Sequence, residues 1–184
     1  MAVKDIVIYP ESKAILRRTC DPVKDIQKQA NKLAQDLVDT LNAHPEGIGL
    51  AAPQIGAHHR VVVVRLGGGP DNEHEPGPPL PLINPEIVEA ANERPDFDGC
   101  LSFPGLYGET RRPHYLRVVG LDGKGHSFDR VFKGFDAVVV HHELDHLDGI
   151  LFIDRVESAD ALYHVRQDEH GDLVRVPLSA VINW

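Results

Sequence analysis

The sequence predicts a single domain that mixes helices and strands, and three patterns carry that reading. A repeat of apolar residues from Ile26 to Leu41 has the period of an amphipathic helix. Arg60 to Leu66 is a run of β-branched residues with the character of a buried strand. Tyr115–Leu121 and His126–Phe132 alternate on either side of Asp122-Gly123-Lys124-Gly125, the pattern of a hairpin. The 184 residues suit one domain with a sizeable core, and 42% hydrophobic with 26% charged residues is ordinary for a globular chain.

Taken in order, residues 1–23 form an extended lead-in whose apolar stretch, Ile6 to Tyr9, ends at Pro10. Ile26, Ala30, Leu33, Ala34, Leu37, Val38 and Leu41 then share a helix face, and Pro45 and Gly47 end the helix. Residues 47–56, GIGLAAPQIG, are glycine-rich with Gln54 as their one polar side chain. Composition favours a buried strand and turn there. A strand lining a cleft is the alternative, because glycine lets backbone approach a ligand. No Lys or Ser/Thr follows the glycines, so this is not a phosphate loop. Gly67 to Pro81 reads as a loop, Leu82 to Ala90 and Phe97 to Phe103 as strands, and Pro104-Gly105 as a turn. A second helix is expected from Phe135 to Leu147. Tyr163 to Val176 reads either as two short strands about Glu169 to Asp172 or as a frayed tail.

The second helix carries the chemistry. In HELDH, His142 and His146 sit four apart and project from one face, so two neutral imidazoles can grip one divalent metal. Glu143 is then near a coordinated water without having to bind the metal, and a carboxylate there can take a proton and hand it to a leaving amine. The bland alternative is a surface helix with two exposed histidines. Val138, Val139 and Val140 argue against it by burying the helix, and Gly149 offers a stop. Two imidazoles leave a tetrahedral ion short of a protein ligand. Downstream candidates are Asp148, Asp154, Glu157, His164 and His170; upstream there is Cys100, beside Asp98, Gly99 and Ser102. On spacing alone, Cys100 is as well read as a small buried residue, which is the reading for Cys20.

Bulk properties narrow the partners. A net charge of −9 argues against avid binding to DNA or other nucleic acid. The sequence has no apolar run of transmembrane length, and the first residues lack the hydrophobic region of a signal peptide. Two cysteines are too few for a disulfide scaffold, so a cytoplasmic location is expected.

GIGLAAPQIG, GCLSFPG and HHELDHLDG resemble, in order and at similar separations, the three signatures of the peptide deformylase family, as far as about Val156. The resemblance implies an α+β fold with small mixed or antiparallel sheets wrapped around a central metal-binding helix, occupying residues 1–184 as one catalytic domain. It implies removal of formyl from the N-terminal formyl-methionine of nascent chains. Cys100, His142 and His146 become the metal ligands and Glu143 the general acid/base. Gln54 and the backbone N–H of Leu101 would bind the oxyanion, and Gly49 would offer backbone hydrogen bonds to the peptide. Ile48, Phe135, Val138, Val139 and Leu101 would form the methionine pocket. The family's metal is Fe(II), with Zn(II) or Ni(II) able to take its place.

Two positions depart from the family. Asp98 stands where Glu is usual, one methylene shorter towards its expected partner Arg112, so the backbone must shift or the contact lengthen. His141 stands where Gln is usual and is expected to support the site rather than ligate, since helix neighbours point about 100° apart. A zincin-type peptidase, with its third ligand downstream, is the first rival reading. A retired enzyme that binds without turnover is the second. Residues 160–184 lie beyond the resemblance. Asp160, Asp168, Glu169 and Asp172 against Arg166 and Arg175 offer little attraction to ribosomal RNA, so any ribosome contact is expected to be transient. Val174, Val176 and Leu178 alternate as a strand edge does. The tail is expected to fold back on the domain or to join two subunits as a homodimer, with Trp184 as an anchor.

Overall fold

The computed structural model describes residues 2–69, 75–167 and 170–178. After a short helix, α1 (Lys13–Leu16), a π turn over Ile26–Ala30 runs directly into α2 (Asn31–Asn42). Asp25 accepts a hydrogen bond from the Lys28 N–H and so caps that start. Together they form the first expected helix. Ala34, Leu37 and Leu41 of its apolar face pack with Leu50, Val61 and Val63 in a buried cluster.

The sheet runs β1 (Gly49–Ala51), β2 (Val61–Val64), β3 (Leu80–Gly99), β4 (Leu106–Leu121), β6 (Leu162–Gln167), β7 (Leu173–Pro177), with β5 (Ser127–Lys133) also paired on β4. Every pairing is antiparallel. Among the described residues this gives an α+β fold, as expected.

β3 differs from the expectation of two strands. Ala91 to Asp96 is polar and mostly exposed, so it lacks the apolar alternation of a half-buried strand, yet its backbone stays paired from Ala91↔Tyr115 to Asp96↔Thr110. The strand also stops sooner: Leu101 to Phe103 lie in a turn closed by Phe103 N–H to Cys100 C=O at 2.9 Å. Cys100 therefore sits just past the strand end rather than within a strand.

The second helix, α3 (Phe135–Leu147), is buried from Ala137 to Leu147. Val139, Val140, Leu144 and Leu147 join the core formed with Val62, Val64, Leu116 and Val118. Its stop has a clear geometry. Gly149 takes φ +71°, its N–H donates to His146 C=O (3.2 Å), and the Ile150 N–H donates to Asp145 C=O (3.0 Å). This is the Schellman arrangement, and it satisfies two of the carbonyls a helix end leaves over.

The tail takes the first of its two expected forms. β6 pairs with β4 at Leu106↔His164, Tyr107↔Tyr163 and Gly108↔Leu162, and β7 pairs with β6. Asp168, Glu169 and the suggested anchor Trp184 lie outside the described residues. Among the described residues no helix is long and apolar enough to cross a membrane.

Candidate active site

Burial of α3 brings His142 and His146 under the sheet, and the turn after β3 carries Cys100 to meet them. The ligand atoms of Cys100, His142 and His146 lie within 4.8 Å of one another, with Cys100 Sγ 3.3 Å from His146 Nε2. No other such group occurs among the described residues. The downstream candidates are engaged elsewhere or apart. Asp148 holds Arg60 at 2.6 Å, Asp154 pairs with Arg17, Glu157 is 3.8 Å from Arg111, and His164 faces Leu106 across the β4–β6 pairing. His170 is not in the group.

The donor set fits a divalent cation. One thiol and two imidazoles can converge on an ion and leave a position open, as in catalytic sites. His142 Nδ1–H donates to Asp98 Oδ1 at 2.8 Å, which fixes the tautomer and leaves Nε2 as the donor. Burial opposes charge on His142, but Asp98 and Cys100 beside it raise its pKa well above the ordinary value, so the ring is strongly basic. Burial and the charges of His142 and Arg112 hold His146 well below its ordinary value, so it is neutral, the form a cation takes.

Asp98 is positioned in turn by Arg112, which is wholly buried and donates from Nε to Asp98 Oδ2 at 2.6 Å. The shorter side chain thus makes a contact that is not lengthened. Arg112 Nη1 also donates to Asp145 Oδ2 (2.8 Å) and to His141 Nδ1 (2.7 Å), and Arg155 closes on Asp145 from the other side at 2.6 Å. Burial pushes the His141 pKa down to about 4, so it stays neutral and accepts. Although burial opposes ionisation of Asp98, His142 and Arg112 hold its carboxyl well below the usual range. His141 is not among the three residues whose donor atoms converge.

Glu143 follows on the same helix. Its Oε2 is buried with no hydrogen-bond partner, and burial pushes its carboxyl up to about 7. A carboxyl with that pKa is matched to proton transfer near neutral pH. Gln54 comes from a 3₁₀ turn (Ala52–Ile55) after β1. Its Oε1 accepts from the Ala51 N–H at 2.8 Å, which turns its Nε2 towards Cys100 Sγ (3.4 Å) and Ser102 Oγ (3.3 Å).

These groups open into a cleft of about 490 Å³. Ile48, Gly49, Leu101, Phe135, Val138 and Val139 line it together with Gln54, Cys100, His142 and Glu143. His146 lies deeper, 1% exposed. Sequence reasoning missed Phe97 and Tyr107, whose rings stack at 5.4 Å and line the same cleft. Nothing in their spacing announces the β3–β4 register that joins them. Cys20 is buried, and burial pushes its thiol up to about 11, in keeping with an inert core residue.

A site that gathers cation donors and an unspent carboxylate at the floor of a narrow cleft defines the class of metal-dependent hydrolases. Residues 3–161 match the polypeptide deformylase family, and the chain belongs to that family. It is 41% identical over 169 residues to a peptide deformylase of Thermomicrobium roseum, covering 92% of this chain and 94% of that protein. The crystal structure of peptide deformylase from Thermotoga maritima superposes with a TM-score of 0.75 at 31% identity, covering 86% of this chain and 100% of that one. The Ehrlichia chaffeensis enzyme in complex with actinonin gives a TM-score of 0.76 at 31% identity, covering 86% and 91%. The protein is accordingly a hydrolase that uses a divalent metal to remove the N-terminal formyl group from nascent polypeptides. The peptidase and retired-enzyme readings give way to it.

Proposed function

We propose that Cys100, His142 and His146 hold Fe(II), that Glu143 is the general acid/base, and that Gln54 and the Leu101 N–H receive the oxyanion. The observation that carries this is the buried, unpartnered Oε2 of Glu143 beside the three converging donors. A divalent metal bound there supplies a Lewis acid and lowers the pKa of water towards neutrality. The choice of iron rests on family resemblance, since the same donors suit zinc or nickel.

Glu143 takes a proton from the attacking water and returns it to the departing nitrogen of methionine. Gln54 Nε2 is already aimed at Cys100, and the Leu101 N–H donates to no group among the described residues. Each donor at the oxyanion is worth roughly 2.7–4 kcal/mol by analogy with such groups elsewhere. Ile48, Leu101, Phe135, Val138 and Val139 take the methionine side chain. Gly49, on the edge strand β1, lends its backbone to the peptide.

The remaining proposals concern context. Residues 1–184 act as one catalytic domain in the cytoplasm, and the tail belongs to that domain, supported by the pairing of β6 on β4. A homodimer joined through the tail is the alternative, separated by sedimentation. Ribosome contact is transient, in keeping with the net charge of −9.

Glu143→Gln tests the assignment by removing the base while keeping its shape. Turnover of a formyl-Met peptide should fall about 10²–10⁴-fold with metal content unchanged. Near wild-type turnover would remove Glu143 from the mechanism.

A further inference from the structure

The β6–β7 hairpin follows residues 3–161, the stretch matched by the family model, and its Arg175 reaches back to Phe97 at the cleft. In the strand order β3-β4-β6-β7, Phe97 and Arg175 stand three strands apart. The Arg175 Cζ is nevertheless 4.2 Å from the centroid of the Phe97 ring, so the hairpin curls over this face. The Phe97 ring is stacked on Tyr107 with an interplanar angle of 9°. Tyr107 in turn covers Gly99, the neighbour of Cys100: a Cβ there would meet Tyr107 Cδ1 at 2.6 Å. An aromatic wall therefore runs from Cys100 outward, and a guanidinium ends it.

That guanidinium is exposed, and no carboxylate among the described residues lies within 4.0 Å of it. Glu109 is opposite Phe97 in the β3–β4 register but forms no ion pair with Arg175, while Arg111 is engaged by Glu157. Stacking on an aromatic face holds a guanidinium flat and leaves its N–H edge free for a carboxylate.

We propose that Arg175 is a specificity-determining residue that favours formyl-Met peptides with an acidic third residue. Phe97 lies three residues before Cys100, about 10 Å along extended backbone at ~3.3 Å per residue. An extended peptide with its formyl group at Cys100 covers that span by its third side chain. This rests on the reading that puts methionine against Val138 and Val139.

The test compares kcat/KM of the metal-loaded enzyme on amide-capped formyl-Met-Ala-Glu, formyl-Met-Ala-Lys and formyl-Met-Ala. An exposed pair of this kind gives a preference of about two- to fivefold for Glu over Lys, shrinking as salt is raised. Arg175→Ala should abolish the preference and Arg175→Glu should reverse it, both leaving formyl-Met-Ala turnover unchanged. Equal rates on the Glu and Lys peptides in the wild type at low salt, or the same ratio in Arg175→Glu, overturns the proposal. Failure of the wild type on formyl-Met-Ala itself would instead sink the underlying site assignment, and this inference with it.

Discussion

Replacing Gly49 with alanine puts a methyl group where the Glu143 side chain lies. A Cβ on Gly49 would meet Glu143 Cδ at 2.7 Å and Cγ at 2.8 Å, and would overlap Oε1. The backbone of β1 is extended and accepts alanine, so the conflict is one of space alone. α3 is buried from Ala137 to Leu147 and cannot retreat, which leaves rotation of the Glu143 carboxylate as the relief. Overpacking of this kind costs about 1–3 kcal/mol of stability. The kinetic effect should be larger, about 10²–10⁴-fold in kcat, because the displaced group is the proposed general acid/base. The three nearest atoms all belong to Glu143, and none to Cys100, His142 or His146, the proposed metal ligands. Formate release, elemental analysis and thermal unfolding on the same preparation separate these effects: slow turnover, full metal, a modest fall in Tm. The double variant Gly49→Ala/Glu143→Gln should be no slower than Glu143→Gln alone, since both act through one carboxylate. Gly49→Ala turnover within about twofold of wild type, at full metal content, would refute the reasoning.

Arg112→Ala leaves the carboxylates of Asp98 and Asp145 buried without their shared partner, and should cost about 3–5 kcal/mol in chemical denaturation. A loss below about 1 kcal/mol would mean that Arg155 and His141 compensate. Formyl-Ala peptides should be about 10–200-fold poorer than formyl-Met peptides, because the pocket lined by Val138 and Val139 loses apolar contact. Equal efficiency would dismiss the pocket. Metal affinity should fall on acidification: the raised pKa of His142 means a proton competes for the ring above the ordinary histidine range, and each pH unit below that pKa costs about tenfold. A binding titration that stays flat from about pH 8 to about pH 6 would contradict this.

What could be read from the chain follows from how local each feature is. The convergence of His142 and His146, the proposed ligand pair, was legible because helix geometry fixes where residues four apart point, and Cys100 entered through the order of three short stretches. The Ile26–Leu41 helix was legible from its stripe. The continuity of β3 was not, since Ala91 to Asp96 are held by backbone pairing that leaves no apolar trace. The clasp of Arg112 on Asp145 and His141 joins a strand to a helix through side chains 29 and more positions apart, and spacing carries no record of it. The same holds for Gly49 against Glu143: the motif suggested a close approach to ligand, while packing shows that the glycine also makes room for the carboxylate. Arg175 on Phe97 depends on the curl of a hairpin hung from three register pairs.

The ligation by Cys100 is the claim on which the rest depends. Wild type and Cys100→Ala, prepared anaerobically and offered iron side by side, should differ in metal per chain and in formate released from a formyl-Met peptide. The account predicts near one metal per chain and rapid formate release for the wild type, and loss of most of both for Cys100→Ala. Full metal and undiminished turnover in Cys100→Ala would contradict it.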